Sequence, residues 1–197
     1  GEKIYRTVED VEGVLLAKVR QRTGSDADPM VAEAAAWNES HGDFYIYHLL
    51  LDAEPASNAY GKSLVQTKTN LKGFSFVEVP DPAKGVRYRY TWTPGVGPKK
   101  EVSPSPAPPR YVIEYEDQVR AEDRAHWIAR SSVRIVDTST NSTMGELIYF
   151  KFESGLGSRA GFRQPWAFAI SCPSVPVIDP MHRFFADKVL RTAQRVK

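Results

Sequence analysis

Val86-Arg87-Tyr88-Arg89-Tyr90-Thr91-Trp92 is the stretch on which the reading of the fold turns. Val86, Tyr88, Tyr90 and Trp92 alternate with Arg87, Arg89 and Thr91. A period of two is that of a strand with one face in a core and one in water. Strict alternation sends the rings to the core and the arginines to solvent, which argues against a base-stacking platform, where rings and cations share a face. Upstream, Phe74, Phe76 and Glu78 alternate with Ser75, Val77 and Val79, and the turn-forming PDPAKG between the two runs predicts a β-hairpin.

Working outward, Thr93 to Arg110 holds prolines 94, 98, 104, 106, 108 and 109 together with Gly95 and Gly97. That density predicts an exposed, extended loop over about 93–110 without regular pairing. Tyr111 to Tyr115 alternates again, and Ser132 to Val136 and Glu146 to Phe152 flank DTSTNSTMG, the pattern of a second hairpin or meander. Glu12 to Arg20 reads as a largely buried strand. Phe44 to Leu51 (FYIYHLLL), apolar on both faces, reads as a central one. Val31 to Trp37, Leu64 to Leu71 and Trp166 to Ile170 are further strand candidates. Two helices are expected: a short one in AEDRAHWIA, with acidic residues in its first turn, and one after Asp179-Pro180 whose inner face is Met181, Phe184, Phe185 and Val189. The expected fold is α+β: a single domain over 1–197 with a large antiparallel β-sheet of meander-like hairpins and a C-terminal helix.

The 197 residues, 42% hydrophobic and 25% charged, have the composition of one globular domain and exclude global disorder, collagen and coiled coil. The longest apolar runs fall far short of the roughly 18 residues that a membrane-spanning helix needs. Net charge is +2 with the two signs interspersed. The densest basic cluster, Lys188, Arg191, Arg195 and Lys197, sits where a helix C-terminus favours cations, so nucleic acid is not expected as a partner. The single cysteine, Cys172, cannot form an internal disulfide and is expected as a small buried hydrophobe. The chain opens on Gly1, which raises the expectation of a trimmed start whose signal or anchor has been removed.

Chemistry is harder to place. Gly155 to Arg163 (GLGSRAGFR) could turn successive backbone N–H groups into one concavity, with Ser158, Arg159 and Arg163 closing on an anion and His126 assisting. It lacks the Lys-Ser/Thr ending of a Walker loop and the long helix that follows a dinucleotide fingerprint. A tight connection between strands, its arginines bonded to carbonyls or carboxylates, is the competing account. Histidines 41, 48, 126 and 182 are scattered and fit no zinc spacing, so neither metal nor cofactor is expected. Glu114 and Glu116, and Glu122 and Asp123, are explained by surface solvation and helix capping. Asn38-Glu39-Ser40 and Asn141-Ser142-Thr143 match the glycosylation sequon, which has meaning only in a eukaryotic secretory setting.

The second half carries a resemblance. Glu122-Asp123-Arg124, His126-Trp127-Ile128-Ala129, Val136-Asp137-Thr138, Gly145-Glu146, Gly157-Ser158-Arg159-Ala160-Gly161, Pro165-Trp166 and Cys172-Pro173 resemble uncharacterised bacterial proteins of unknown function. The likeness spans roughly residues 111 to 173. It implies an envelope-associated or periplasmic domain and transfers no catalytic residue. The expectation is a non-catalytic binding or interaction domain at the bacterial cell envelope, with a protein partner. The alternative is a small-anion-binding protein or enzyme with its site at the glycine-rich loop 155–163.

Overall fold

The computed structural model describes residues 1–21, 46–52, 72–118, 120–126, 128–152, 170–173 and 181–193. Chain order is β1 (Glu2–Ile4), β2 (Val8–Val11), β3 (Gly13–Gln21), a helical segment α1 over residues 46–50, β4 (Phe76–Asp81), β5 (Val86–Thr93), β6 (Gly97–Val102), β7 (Tyr111–Gln118), α2 (Ala121–Ala125), β8 (Ile128–Asp137), β9 (Ser142–Phe152), β10 (Ile170–Cys172), α3 (Met181–Val189) and β11 (Leu190–Thr192). Nine strands form one sheet in the order β1-β9-β8-β7-β3-β4-β5-β6, with β10 also paired to β9. β2 and β11 form a small parallel pair.

The α+β class holds, but the sheet is mixed where an antiparallel one was expected. β3 runs parallel to both neighbours, β4 and β7, and so joins two antiparallel meanders, β4-β5-β6 and β7-β8-β9. Alternation along a strand reports its faces and is blind to the direction of its neighbours, which the long return from β3 to β4 decides.

Both expected hairpins form. The β4–β5 turn places Gly85 at φ 64°, and the β8–β9 turn places Asn141 at φ 50°, a left-handed conformation that asparagine tolerates better than most residues. The proline-rich stretch divides in two. Gly97 to Val102 pairs with β5, Pro98 being accommodated because β6 lies at the sheet edge, and residues 94–96, which make the turn, and 103–110 remain outside the ladder.

The segment expected as a central strand at Phe44 to Leu51 is helical over 46–50. Ile46, Leu49 and Leu50 are buried, the i, i+3, i+4 set of a helix face, and the Leu51 N–H donates to Tyr47 O at 2.9 Å. Three consecutive leucines satisfy either period, and helical propensity prevailed. The helix in AEDRAHWIA is confined to α2, and Ile128 and Ala129 already belong to β8. The C-terminal helix is small, and β11 follows it directly. Val31 to Trp37 and Leu64 to Leu71 lie outside the described residues, as do Arg195 and Lys197; Trp166 to Ile170 does so except for Ile170.

α1 and α3 cover one face of the sheet. Val14, Leu16, Val77, Tyr90, Ile113, Val133, Ile135, Leu147 and Tyr149 project from the strands against Ile46, Leu49, Phe185, Ala186, Val189 and Leu190. A Cβ at Gly145 would come within 3.0 Å of both Phe185 and Val189, so the glycine sets how closely α3 approaches β9. On the opposite face, residues 103–110 must cross β5, β4 and β3 to link β6 with β7.

Candidate functional site

Ser158, Arg159 and Arg163 lie outside the described residues. His126 is exposed beyond the end of α2, and its backbone N–H donates to Asp123 O at 3.1 Å. The register places His126 just before β8, at the end of the sheet where that strand begins. Ile128 pairs with Phe152, and Phe152 pairs with Ile170, so β8, β9 and β10 meet at this end.

Three large apolar side chains meet solvent at this end. Phe150 is 39% exposed, Phe152 45% and Ile170 67%. Phe150 and Phe152 alternate with the buried Leu147–Tyr149 face, and Ile170 lies directly across from Phe152 on the side of the sheet away from the helices. Cys172, opposite Phe150, is exposed, contrary to the buried thiol expected, because β10 is a three-residue strand at the sheet margin.

The wet face expected for Arg87 and Arg89 is a second departure. On β4 beside them stands Glu78, fully buried, its carboxylate receiving Arg87 Nε at 2.9 Å, Arg89 Nε at 3.0 Å, Arg89 Nη2 at 2.8 Å and the Ser103 hydroxyl. The Arg89 guanidinium stacks 3.9 Å above the Phe76 ring, and that ring lies over Gly13, where a Cβ would stand 2.3 Å from it. Burial works to raise the Glu78 carboxyl, and the hydrogen bonds from Ser103, Arg87 and Arg89 outweigh it, so the group is held below its ordinary value. Sequence carried a signal for this cluster: across the PDPAKG turn, Glu78 falls opposite Arg89.

Asp137 is the second buried carboxylate. Arg110 grips it with Nε at 2.9 Å and Nη2 at 2.8 Å, Ser139 donates from its N–H and hydroxyl, and Arg6 closes the remaining side. The Arg110 hydrogen bond, aided by Ser139 and Arg6 and opposed by desolvation, holds the Asp137 carboxyl well below the usual range. Nothing in the sequence pattern marked it, since it joins a strand end to residues 131 and 27 positions away.

Beneath the helices, Arg183 is completely buried and pairs with Asp187 one turn on at 2.7 Å. Its Nη1 donates to the carbonyls of His48 at 2.7 Å, Leu49 at 2.9 Å and Leu51 at 3.2 Å, and Nη2 to Lys72 O at 3.0 Å. The end of α1, whose last carbonyls have no intrahelical donor, is thus capped by a cation from α3. The inner face of α3 carries this pair beside Phe185 and Val189, where only apolar residues were expected. His48 is buried beside it; desolvation, then the charge of Arg183, lowers its pKa to about 4. At the base of this region a Cβ on Gly73 would lie 2.0 Å from the Leu50 carbonyl oxygen, so only glycine fits there.

An open concavity is lined by Tyr5, Arg134, Thr143 and Glu146. Glu114 and Arg134 form an exposed ion pair beside it, while Glu116 is half-buried. No group of three or more metal-ligating side chains occurs among the described residues, and no described helix is long and apolar enough to cross a membrane. No family model, curated protein or solved structure matches this chain.

Proposed function

We propose that this chain is a non-catalytic interaction domain of the bacterial cell envelope that meets a protein partner at the end of the sheet formed by β9 and β10. The observation that carries this reading is the cluster of Phe150, Phe152 and Ile170, three large apolar side chains exposed together on one face. Single exposed apolar residues are ordinary; a contiguous group is a feature of contact surfaces. The buried charges fit the same account, because Glu78, Asp137 and Arg183 are each held by partners within the fold, as structural groups are. The envelope setting rests on the resemblance of residues 111 to 173.

A photo-reactive benzophenone amino acid in place of Phe152, with a matched probe in place of Lys99 at the far edge, tests the reading in cells. The expected result is a discrete protein adduct from position 152 that is absent from position 99 and lost on Phe150→Asp. Identical adducts from both positions, or none from 152 in a folded protein, would refute the surface. An adduct confined to the cytoplasmic fraction would refute the location.

A further inference from the structure

β9 carries an irregularity where it pairs with β8, and the irregularity gathers side chains. Ile135 pairs with Gly145 and Val136 with Thr143, so Met144 is an extra residue, a β-bulge. In a regular strand Thr143 and Glu146, three positions apart, would lie on opposite faces, and Thr143 would share the α3 side with Gly145. The bulge sends Met144 into the core and leaves Thr143 beside Glu146 on the other face. The Met144 carbonyl then accepts from two backbone N–H groups, Tyr5 at 2.8 Å and Arg6 at 3.1 Å, which holds the chain beyond β1 against the same place. Arg6 reaches Asp137, while Tyr5 remains 61% exposed.

The product is the open concavity of about 440 Å³ lined by Tyr5, Arg134, Thr143 and Glu146, a size within the roughly 300–1,000 Å³ of small-molecule sites. Lys3, Glu146, Arg134 and Glu114 stand in one row across β1, β9, β8 and β7, alternating in sign and summing to zero. Arg134 lies between two carboxylates and closes on only one of them, Glu114, with Nε at 2.6 Å and Nη2 at 2.5 Å. The side chains of Tyr5, Thr143 and Glu146 make no hydrogen bond or ion pair among the described residues. Glu78 and Asp137 are supplied with donors from within the fold; here a phenol, a hydroxyl and a carboxylate are left uncommitted around one hollow.

We infer that this concavity binds a neutral saccharide, a mono- or disaccharide. An open site with a single aromatic ring cannot bury an apolar ligand, so its ligand must be polar over most of its surface. A balanced row of charges gives no net pull on an ion of either sign. A sugar ring meets both conditions: its C–H groups pack on the negative face of an aromatic ring, and its hydroxyls each donate and accept. Tyr5 would supply the ring, Glu146 would accept from neighbouring hydroxyls, and Thr143 and Arg134 would donate to them. The site stands further along β9 than the patch of Phe150, Phe152 and Ile170, and either can fail without the other.

The test is saturation-transfer NMR on the whole protein with maltose, cellobiose, lactose and di-N-acetylchitobiose, and with galacturonic acid for comparison. The expected result is transfer to the ring C–H protons of at least one neutral sugar. Binding of that sugar should weaken by about tenfold in Tyr5→Ala, persist in Tyr5→Phe, fall in Glu146→Ala and stay unchanged in Phe150→Asp. Circular dichroism matched to wild type qualifies each variant, and should Tyr5→Ala not fold, Glu146→Ala decides. No transfer to any neutral sugar, binding undiminished in Tyr5→Ala and Glu146→Ala alike, binding abolished by Phe150→Asp, or tighter binding of galacturonic acid than of every neutral sugar would overturn the inference.

Discussion

The two faces of the sheet are closed by opposite means. On one, α1 and α3 lay leucine, phenylalanine and valine against Val14, Leu16, Ile113, Val133 and Ile135, and among the described residues one buried ion pair, Arg183–Asp187, sits with them. On the other, the covering segment holds only serine, proline, alanine and arginine, and it is secured by Glu78 with two arginines and Asp137 with two more. A helix can present an apolar stripe; a strap of prolines and serines has little apolar surface to bury and must be fastened by directional bonds. The helical face is accordingly sealed by packing with one polar rivet, and the strap face by rivets with little packing.

The largest effect should come from that one rivet. Replacing Arg183 with methionine leaves Asp187 charged in the core and removes one donor from each of the carbonyls at 48, 49, 51 and 72, of which 49 and 72 keep Phe74 N–H and the Thr192 hydroxyl. Loss of one partner from a buried pair costs about 3–5 kcal/mol, readable as a lower urea midpoint. A midpoint close to wild type would show that packing alone seals the helical face.

A smaller effect should separate the faces by pH. His48 has a folded pKa of about 4 against the usual 6.5, so below 6.5 the unfolded chain takes up a proton that the folded one refuses. Its contribution is complete above pH 6.5 and declines as the pH falls toward 4, by up to about 3 kcal/mol. Glu78 and Asp137 are lowered too, but for a carboxylate that favours the charged folded form, so their contribution is present above the ordinary carboxylate range and is lost only as the pH falls below it. Stability measured from pH 7 to 4.5 should therefore fall in wild type and stay nearly level in His48→Gln. A parallel decline in both would place the acid-sensitive group elsewhere.

The smallest effect is expected outside both seals. Arg134 and Glu114 pair at 2.5 Å with side chains 52% and 28% exposed, and exposed pairs contribute about 1 kcal/mol or less. Arg134→Ala should move the urea midpoint little, and less still in high salt. A loss comparable to that of Arg183→Met would mean that the open concavity beside it is a third organised region.

Much of the sheet was legible because alternation is a local property. Val86 to Trp92, Tyr111 to Tyr115 and the DTSTNSTMG hairpin all form as the pattern requires, since each strand's faces follow from its own residues. Residues 46–50 misled because an all-apolar run has no period, and the stretch from 97 to 102 because its pairing depended on an available edge at β5. Of the candidate residues, His126 stands just before β8, at the end of the sheet where Ile128, Phe152 and Ile170 pair, and Ser158, Arg159 and Arg163 lie outside the described residues. The apolar cluster there escaped notice because Phe150 and Phe152 look like core in sequence; they are exposed because the helices cover the other face.

By itself the sequence determined the alternating strands, the two hairpin turns and the stiffness of residues 103–110, because dihedral limits and side-chain alternation act between near neighbours. Tertiary structure alone decided that β3 runs parallel to both its neighbours, that Glu78, Asp137 and Arg183 are buried, and which face each covering segment takes. Those outcomes join residues as far as 135 positions apart, and the energy of a buried charge depends on the partners that the rest of the chain brings to it.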